Sequence, residues 1–246
     1  MEKKHALLFA LLITLIIAAN FYFLTPKLSP QKETAIIARV IDGDTLQLQD
    51  SRKIRLLNIN APEKYQPNSN LSANSLKEFQ NQSVQIEILG TDKYDRYLAR
   101  IYSPSYLNLE FVKQGLAAKF LVEESEIKEF SEAESQAIKT GIGIWKHSPY
   151  YNCIKSKIDE IGEKAILINN CNKINISSYV LKDESTKHYT FKEIEFKEIT
   201  LHSTSGKNNA TDLFWNSPTN IWNNDRDSLY LFDSQGNLVY YDSYGY

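Results

Sequence analysis

VIDGDTLQLQDSRKIRLLNINAPE, residues Val40–Glu63, sets Asp42, Asp44, Arg55 and Glu63 at the edges of apolar runs that otherwise read as strands. Further along, TDKYDRYLARIY (Thr91–Tyr102) puts a second arginine, Arg96, in the same setting. Taken alone, Asp42-Gly43-Asp44 is an ordinary turn and Arg55 a solvated strand residue. Together the groups are the parts that phosphodiester cleavage requires. Carboxylates can hold a hard cation, a further carboxylate can take a proton from water, and guanidiniums can meet the charge on the phosphoryl oxygens. Arginine suits that last role because its planar fork binds phosphate bidentately and stays charged. Asp44, with an oxygen from Asn60, is the candidate Ca²⁺ pair, its shell completed by backbone carbonyls and water. Glu63 is the candidate base.

DGDT (Asp42–Thr45), RLLNINAPE (Arg55–Glu63) and DKYDR (Asp92–Arg96), with VKQGLA (Val112–Ala117) and GIGIW (Gly141–Trp145), resemble the motif series of the staphylococcal nuclease (thermonuclease) family. The likeness covers Ala35 to His147. It implies that Asp44 is a Ca²⁺ ligand beside Asn60 and the Ala61 main-chain carbonyl, and that Glu63 is the general base. It also implies that Arg55 and Arg96 contact phosphate in the transition state, with Lys93 and Tyr94 flanking the nucleotide. Three positions depart from the family pattern. Asn60 stands where the family has a metal-binding Asp, Ala61 where it has Thr, and Asp95 where it has the Gly before the second arginine. Asn keeps a carbonyl oxygen but removes one negative charge, which implies weaker calcium binding, or an altered metal preference, with activity retained.

Outward from these motifs, strands are predicted at Ala35–Ile41, Thr45–Gln49, Lys53–Ile59, Val84–Leu89 and Arg96–Tyr102, and helices at Asn70–Asn81, Asn108–Gln114 and Glu123–Thr140. In the last helix Ile127, Phe130, Ala133, Ala137 and Ile138 recur at helical spacing, and glutamates crowd its first turns, where the helix dipole favours them. Five strands with packing helices match an OB-type barrel. Towards the N-terminus, Lys3 and Lys4 precede an apolar run, Ala6–Leu24, broken only by Thr14 and Asn20. At about 1.5 Å per residue it comes close to spanning the hydrocarbon core, so it reads as a retained anchor or a cleaved signal segment, with the rest outside the cytoplasm. PKLSPQKET (Pro26–Thr34) reads as a spacer.

After His147 the texture changes. Strand patterns at Lys164–Asn169, Ser178–Lys182, His188–Phe191, Glu198–His202, Ser228–Phe232 and Asn237–Tyr241 alternate with turn residues, which suggests an immunoglobulin-like β-sandwich. A hairpin is expected over Leu231–Val239, where apolar runs flank a turn containing Gly236. ISSYVLKD (Ile176–Asp183), YTF (Tyr189–Phe191), ITLHSTSG (Ile199–Gly206), ATDLFW (Ala210–Trp215) and IWNNDRDSLYLFDSQGNLV (Ile221–Val239) resemble a lamin tail domain, a module also found in secreted prokaryotic hydrolases. Asn223, Asp225 and Asp227 alternate like the opening of a calcium loop. Ser228 replaces the needed Gly and no acidic twelfth position follows, so a turn or cap role is expected.

The chain is therefore expected to be mainly β with α, in four parts: residues 1–25 an anchor or signal segment, 26–34 a linker, 35–147 an OB-type five-stranded barrel with three helices, and 153–246 the sandwich. Cys153 and Cys171 are the only cysteines; outside the cytoplasm such a pair tends to be bridged. His5, His147, His188 and His202 are scattered, which weighs against a zinc or histidine-base nuclease. Net charge is −2, and residues 35–147 hold 14 Lys and Arg against 15 Asp and Glu, so nucleic acid must be held by a local basic cleft. The expected activity is calcium-dependent hydrolysis of DNA or RNA by a membrane-anchored or secreted enzyme. The sandwich is expected to be an accessory module, one that could grip a cell-envelope component, because every candidate catalytic residue precedes Lys146. The alternative is a cell-surface protein whose degenerate nuclease barrel binds nucleic acid or envelope polymer without cutting.

Overall fold

Strand alternation closes the barrel. In the computed structural model, which describes residues 5, 9, 11–16, 31–172, 174–185 and 187–246, Val84 and Ile86 point inward from Ser83–Thr91 while Ser83 and Gln85 face solvent. That strand is β5. With β1 (Lys32–Val40), β2 (Thr45–Leu48), β3 (Lys53–Leu56) and β6 (Tyr97–Tyr102) it forms a closed five-stranded barrel in the order β1-β2-β3-β6-β5. Ile37, Leu46, Ile54, Leu56, Ile86, Ala99 and Ile101 fill it, each fully buried or nearly so. β3 and β6 run parallel, which sets Arg55 opposite Leu98 and brings the Arg55 and Arg96 segments side by side.

The single strand predicted over Lys53–Ile59 is in fact two. The chain turns at Leu57 and Asn58, with Asn58 at φ 67°, a left-handed conformation that Asn tolerates. It resumes as β4 (Ile59–Asn60), which pairs with β7 (Ala118–Lys119) instead of staying in the barrel. Buried Asn58 fixes the turn by accepting from the Glu123 N–H and donating to Glu126. Asn108, at the start of α2 (Leu107–Lys113), does the same from the other side, donating to the Leu57 and Ala99 carbonyls. Within the barrel half, α1 covers Ser69–Lys77. The third, α3 (Ile127–Thr140), buries Phe130, Ala133, Ala137 and Ile138 and stops at Gly141 with φ 66°; its predicted first turn, Glu124–Glu126, is 3₁₀.

The second half forms two four-stranded sheets. One has the order β11 (His188–Thr190), β10 (Val180–Lys182), β14 (Asp227–Phe232), β15 (Leu238–Tyr244). The other has the order β13 (Asp212–Phe214), β12 (Glu198–His202), β9 (Lys164–Asn169), β8 (Ile154–Asp159). Leu181, Leu229 and Leu231 of the first sheet and Leu167, Ile199 and Leu201 of the second share one core, so the sheets pack face to face. β14 and β15 are the expected hairpin, with Gly236 at φ 79° in its turn. β8 and β13 lie outside the predicted strands: β8, IKSKID, holds only two apolar residues and β13 is three residues long. Cys153 and Cys171 are disulfide-bonded and tie the entry of β8 to the exit of β9, with Cα atoms 5.2 Å apart. Asp227 acts as a cap, its carboxylate accepting from the Asn223, Ser228 and Glu184 N–H groups.

Barrel and sandwich are joined by a shared core. Glu33–Tyr246 is one compact unit. Ala118, Ala137, Ile138, Ile144 and Trp145 from the barrel side share a core with Tyr230 and Leu238 from the sandwich. Trp145 stacks on Tyr230 at 5.1 Å, and Lys146 and Ser148 exchange backbone hydrogen bonds with Leu238. Within the joint lies a fully buried ion pair, Lys119 with Glu134 at 2.7 Å, whose remaining valences are met by sandwich hydroxyls: Lys119 donates to Ser228, and Tyr230 and Tyr241 donate to Glu134. The spans predicted as anchor and spacer, apart from positions 5, 9 and 11–16, which are helical, and residues 31–34, lie outside the described residues. Among the described residues no helix is long and apolar enough to cross a membrane. Residues 32–34 of the predicted linker are already strand, part of β1.

Candidate active site

The β1–β2 turn, the β3–β4 turn and the β5–β6 turn supply the site. Gly43 lies so close to Ala61 and Ser72 that an added Cβ would sit 2.6 Å from each, so only glycine lets the Asp42–Asp44 turn press against the strand that carries Asn60. Asp44 is thereby buried. Its Oδ2 accepts from the Ala61 N–H at 2.8 Å and pairs with Arg55 Nη2 at 3.2 Å, while its Oδ1 accepts from the Thr45 hydroxyl. Burial pushes its carboxyl up to about 6; Arg55 counters this and Asp42 adds to it.

Arg55 is itself buried and organises the turn. Nη1 donates to the Leu56 and Ile59 carbonyls at 2.7 Å each, and Nη2 spans Asp44 and the Asn60 Oδ1, the latter at 3.2 Å. Arg96 approaches from the β5–β6 side. Its Nε and Nη2 are held by Asp92 Oδ2 and its Nη1 donates to the Thr45 hydroxyl at 3.2 Å. Burial works against the Asp92 carboxylate, yet the Arg96 and Tyr94 hydrogen bonds keep it below the usual range. The two guanidiniums thus converge on Asp44–Thr45 from different strands. Tyr94 projects beside them, 66% exposed, its ring 5.4 Å from Arg96 and 5.1 Å from the Lys93 ammonium. Asp95, in place of the family's Gly, sits at φ 59°, which explains the family's preference and shows that Asp meets the same need. Glu63 is exposed, its carboxylate without hydrogen bond or ion pair among the described residues.

Asn60 carries the least expected contact. Its Nδ2 donates to the main-chain carbonyls of Glu184 and Ser185, at 3.3 and 3.4 Å, from the loop between β10 and β11 of the sandwich. An Asp could not make these bonds, so the departure from the family residue has a physical reason: this position faces a second layer of protein. Asp44 and Asn60 offer hard oxygens, the ligand chemistry of Ca²⁺ and not of a transition metal, though Arg55 donates to both and the Ala61 N–H to Asp44. Among the described residues no three His, Cys, Asp or Glu side chains gather closely enough to hold a metal by themselves. Any cation held at Asp44 would need further oxygens from neutral groups or solvent.

Sequence reasoning missed Thr45, Asp92 and the sandwich loop. Thr45 and Asp92 stand inside the quoted motifs, where a hydroxyl and an acid flanking the key groups were the available signal. For the loop the signal was Asn60 itself, since an amide in an acid's place implies an acceptor opposite.

The sequence model of the family described as staphylococcal nuclease homologue matches residues 53–147, the segment from β3 to the end of the barrel. An uncharacterized endonuclease of Haemophilus influenzae is 36% identical over 123 residues, covering 48% of this chain and 68% of that one. An uncharacterized endonuclease of Escherichia coli O157:H7 is 38% identical over 87 residues, covering 33% and 57%, and the thermonuclease of Staphylococcus intermedius is 33% identical over 130 residues, covering 46% and 77%. With the barrel, the paired arginines and these relatives in agreement, the chain belongs to the staphylococcal nuclease family, a family of nuclease hydrolases.

Proposed function

We propose that this protein is an extracytoplasmic, calcium-dependent nuclease that hydrolyses phosphodiester bonds of DNA or RNA, kept at the membrane by its N-terminal segment or released if that segment is cleaved. The observation that carries the reading is the convergence of Arg55 and Arg96 on Asp44 and Thr45, with the exposed Glu63 following three residues after Asn60. Asp44, Asn60 Oδ1 and the Ala61 carbonyl are the groups to hold Ca²⁺, which when bound polarises a phosphoryl oxygen and acidifies a coordinated water. Arg96, half-exposed, meets the charge that develops on the phosphoryl oxygens, and Arg55 keeps Asp44 and Asn60 in place. Glu63 takes the proton of the attacking water. Lys93 and Tyr94 border the nucleotide. The sandwich is of the lamin-tail, immunoglobulin-like type, a reading supported by the motifs from Ile176 to Val239, and it tethers the enzyme to an envelope component. The disulfide supports an oxidising compartment.

The test is release of acid-soluble nucleotides from single- and double-stranded DNA and RNA, with Ca²⁺ or chelator. Release that needs Ca²⁺ and disappears in Glu63→Gln is expected. Release indifferent to both removes the assignment. The commitment of Asn60 to Arg55 and to two sandwich carbonyls favours one second reading, a barrel that holds nucleic acid without cutting it; binding with no release under any metal would establish it.

A further inference from the structure

Asn60, Ala61 and Glu63 of the candidate site also border a cleft of about 230 Å³ between barrel and sandwich. Asn60, Glu63 and Trp145 line it from one side, and Lys182, Thr190 and Phe232 from the other. Two of these groups lack what they need. Lys182, half-buried on β10, has no hydrogen bond or ion pair among the described residues, and its ammonium lies 5.7 Å from the centre of the Tyr230 ring. Trp145, 1% exposed, has an indole N–H with no acceptor among the described residues, and that nitrogen is itself sealed from solvent. The indole donor is out of a ligand's reach, but a half-buried lysine left without a counter-charge on the cleft wall is costly unless an acceptor arrives. The volume suits a phosphate with its sugar and falls short of the usual range for whole drug-sized ligands.

We propose that the sandwich completes the nuclease site: Lys182 binds a backbone phosphate of the substrate strand next to the one attacked at Glu63, so the substrate cleft is built from both halves of the chain. This rests on the nuclease reading above. The charge logic is consistent with it. Burial pulls the Lys182 ammonium below its ordinary range, and the acids that oppose this, Asp183, Glu134 and Glu63, do so at a distance. A phosphate in contact would supply the missing counter-charge. It would also separate Lys182 from Glu63 and leave the carboxylate free to act on water.

The experiment uses the full chain in five forms: wild type, Lys182→Gln, Lys182→Arg, Glu63→Gln/Lys182→Gln, and Glu63→Gln as the binding reference. Steady-state cleavage of a fluorescein-labelled oligodeoxynucleotide gives KM and kcat, and anisotropy with the Glu63→Gln pair gives Kd as salt is varied. Lys182→Gln is expected to raise KM about tenfold with kcat falling less than about threefold, and Lys182→Arg to restore KM. In the Glu63→Gln background, Kd is expected to rise about tenfold and the slope of log K against log salt to fall by about one. An unchanged KM and Kd in an active enzyme overturns the proposal while the nuclease reading stands. So does a loss in kcat alone accompanied by a displaced acid limb of the pH profile, which would make Lys182 a partner of Glu63 only. An inactive wild type whose oligonucleotide binding still depends on Lys182 would do the opposite, keeping the subsite and removing the hydrolytic reading.

Discussion

Asn60 shows how much one side chain decides. Its oxygen is taken by Arg55 and its nitrogen by two carbonyls of the sandwich, so restoring the family's acid would replace two donations with a carboxylate facing carbonyl oxygens. Judged from sequence, Asn60→Asp should simply tighten calcium binding by adding charge. The geometry predicts a divided outcome instead: without Ca²⁺ the variant loses roughly 1–3 kcal/mol, the cost of unmatched buried polar groups, and Ca²⁺ restores more stability to it than to the wild type. Denaturant melts of both proteins with and without Ca²⁺ check this, and equal calcium shifts would remove Asn60 from the metal shell. Glu63→Gln is different, because that carboxylate is exposed and unbonded. Turnover should fall about 10²- to 10⁴-fold, the range for a lost general base, with no change in thermal midpoint. Arg55→Ala should fail on both counts, since it strips the buried Asp44 carboxylate of its cation and the β3–β4 turn of two carbonyl contacts. Removing one partner of a buried pair costs about 3–5 kcal/mol, so its activity loss must be read beside its melting curve.

Between elements, the loop joining β10 and β11 matters most, because it reaches from the sandwich to the barrel site. Glu184 in that loop is buried, accepts a hydrogen bond from the Tyr246 hydroxyl, and is pushed by burial up to about 7; Asp227, which caps the same loop, is pushed by burial up to about 6. A carboxyl whose folded value lies above its unfolded one holds its proton more tightly when folded. Stability from these two groups therefore increases as pH falls from above 7 towards the ordinary carboxylate range, and is lost again as pH rises through 6 to 7. The thermal midpoint should be higher near pH 5 than near pH 8, with Glu184→Gln flattening the difference; for Glu184 the effect is on the order of 3 kcal/mol at most. A midpoint that rises with pH, or a slope untouched by Glu184→Gln, would count against the buried cluster. The motifs that made the barrel legible were local: DGDT and DKYDR each place several functional groups within one turn, and the alternation of Val84 and Ile86 declares a strand. The sandwich hairpin was legible for the same reason. Lys182, Glu184 and the Lys119–Glu134 pair were not, because each acquires its role from a partner more than a hundred residues away or on another sheet, and side-chain periodicity carries no record of such partners. β4 was lost to a related effect, as a single polar residue in a short apolar run does not announce the left-handed turn that Asn58 makes there.

At the scale of the whole molecule the question is whether barrel and sandwich are two proteins on one string. From sequence alone, a chain ending at His147 should keep nearly full activity on short oligonucleotides, since the catalytic groups all precede that point. The joint argues otherwise. Ending the chain there uncovers Trp145, 1% exposed, and Ile144, 6% exposed, and strips Lys119 and Glu134 of the Ser228, Tyr230 and Tyr241 hydroxyls that satisfy them. Uncovering buried apolar surface costs about 25 cal/mol per Å², and a desolvated ion pair with its outer hydrogen bonds removed no longer repays its burial. Asn60 loses its two acceptors at the same stroke. The full chain should accordingly melt in one cooperative calorimetric transition, with calorimetric and van't Hoff enthalpies equal, because neither half has a complete core at the joint without the other. The chain truncated after His147 should melt at a markedly lower temperature or not fold cooperatively, and should lose activity through KM as well as kcat. Two resolved transitions in the full chain, one of them reproduced by the truncated barrel at the same temperature, would show that the halves fold and act independently, and the Lys119–Glu134 joint would then be a contact without thermodynamic weight.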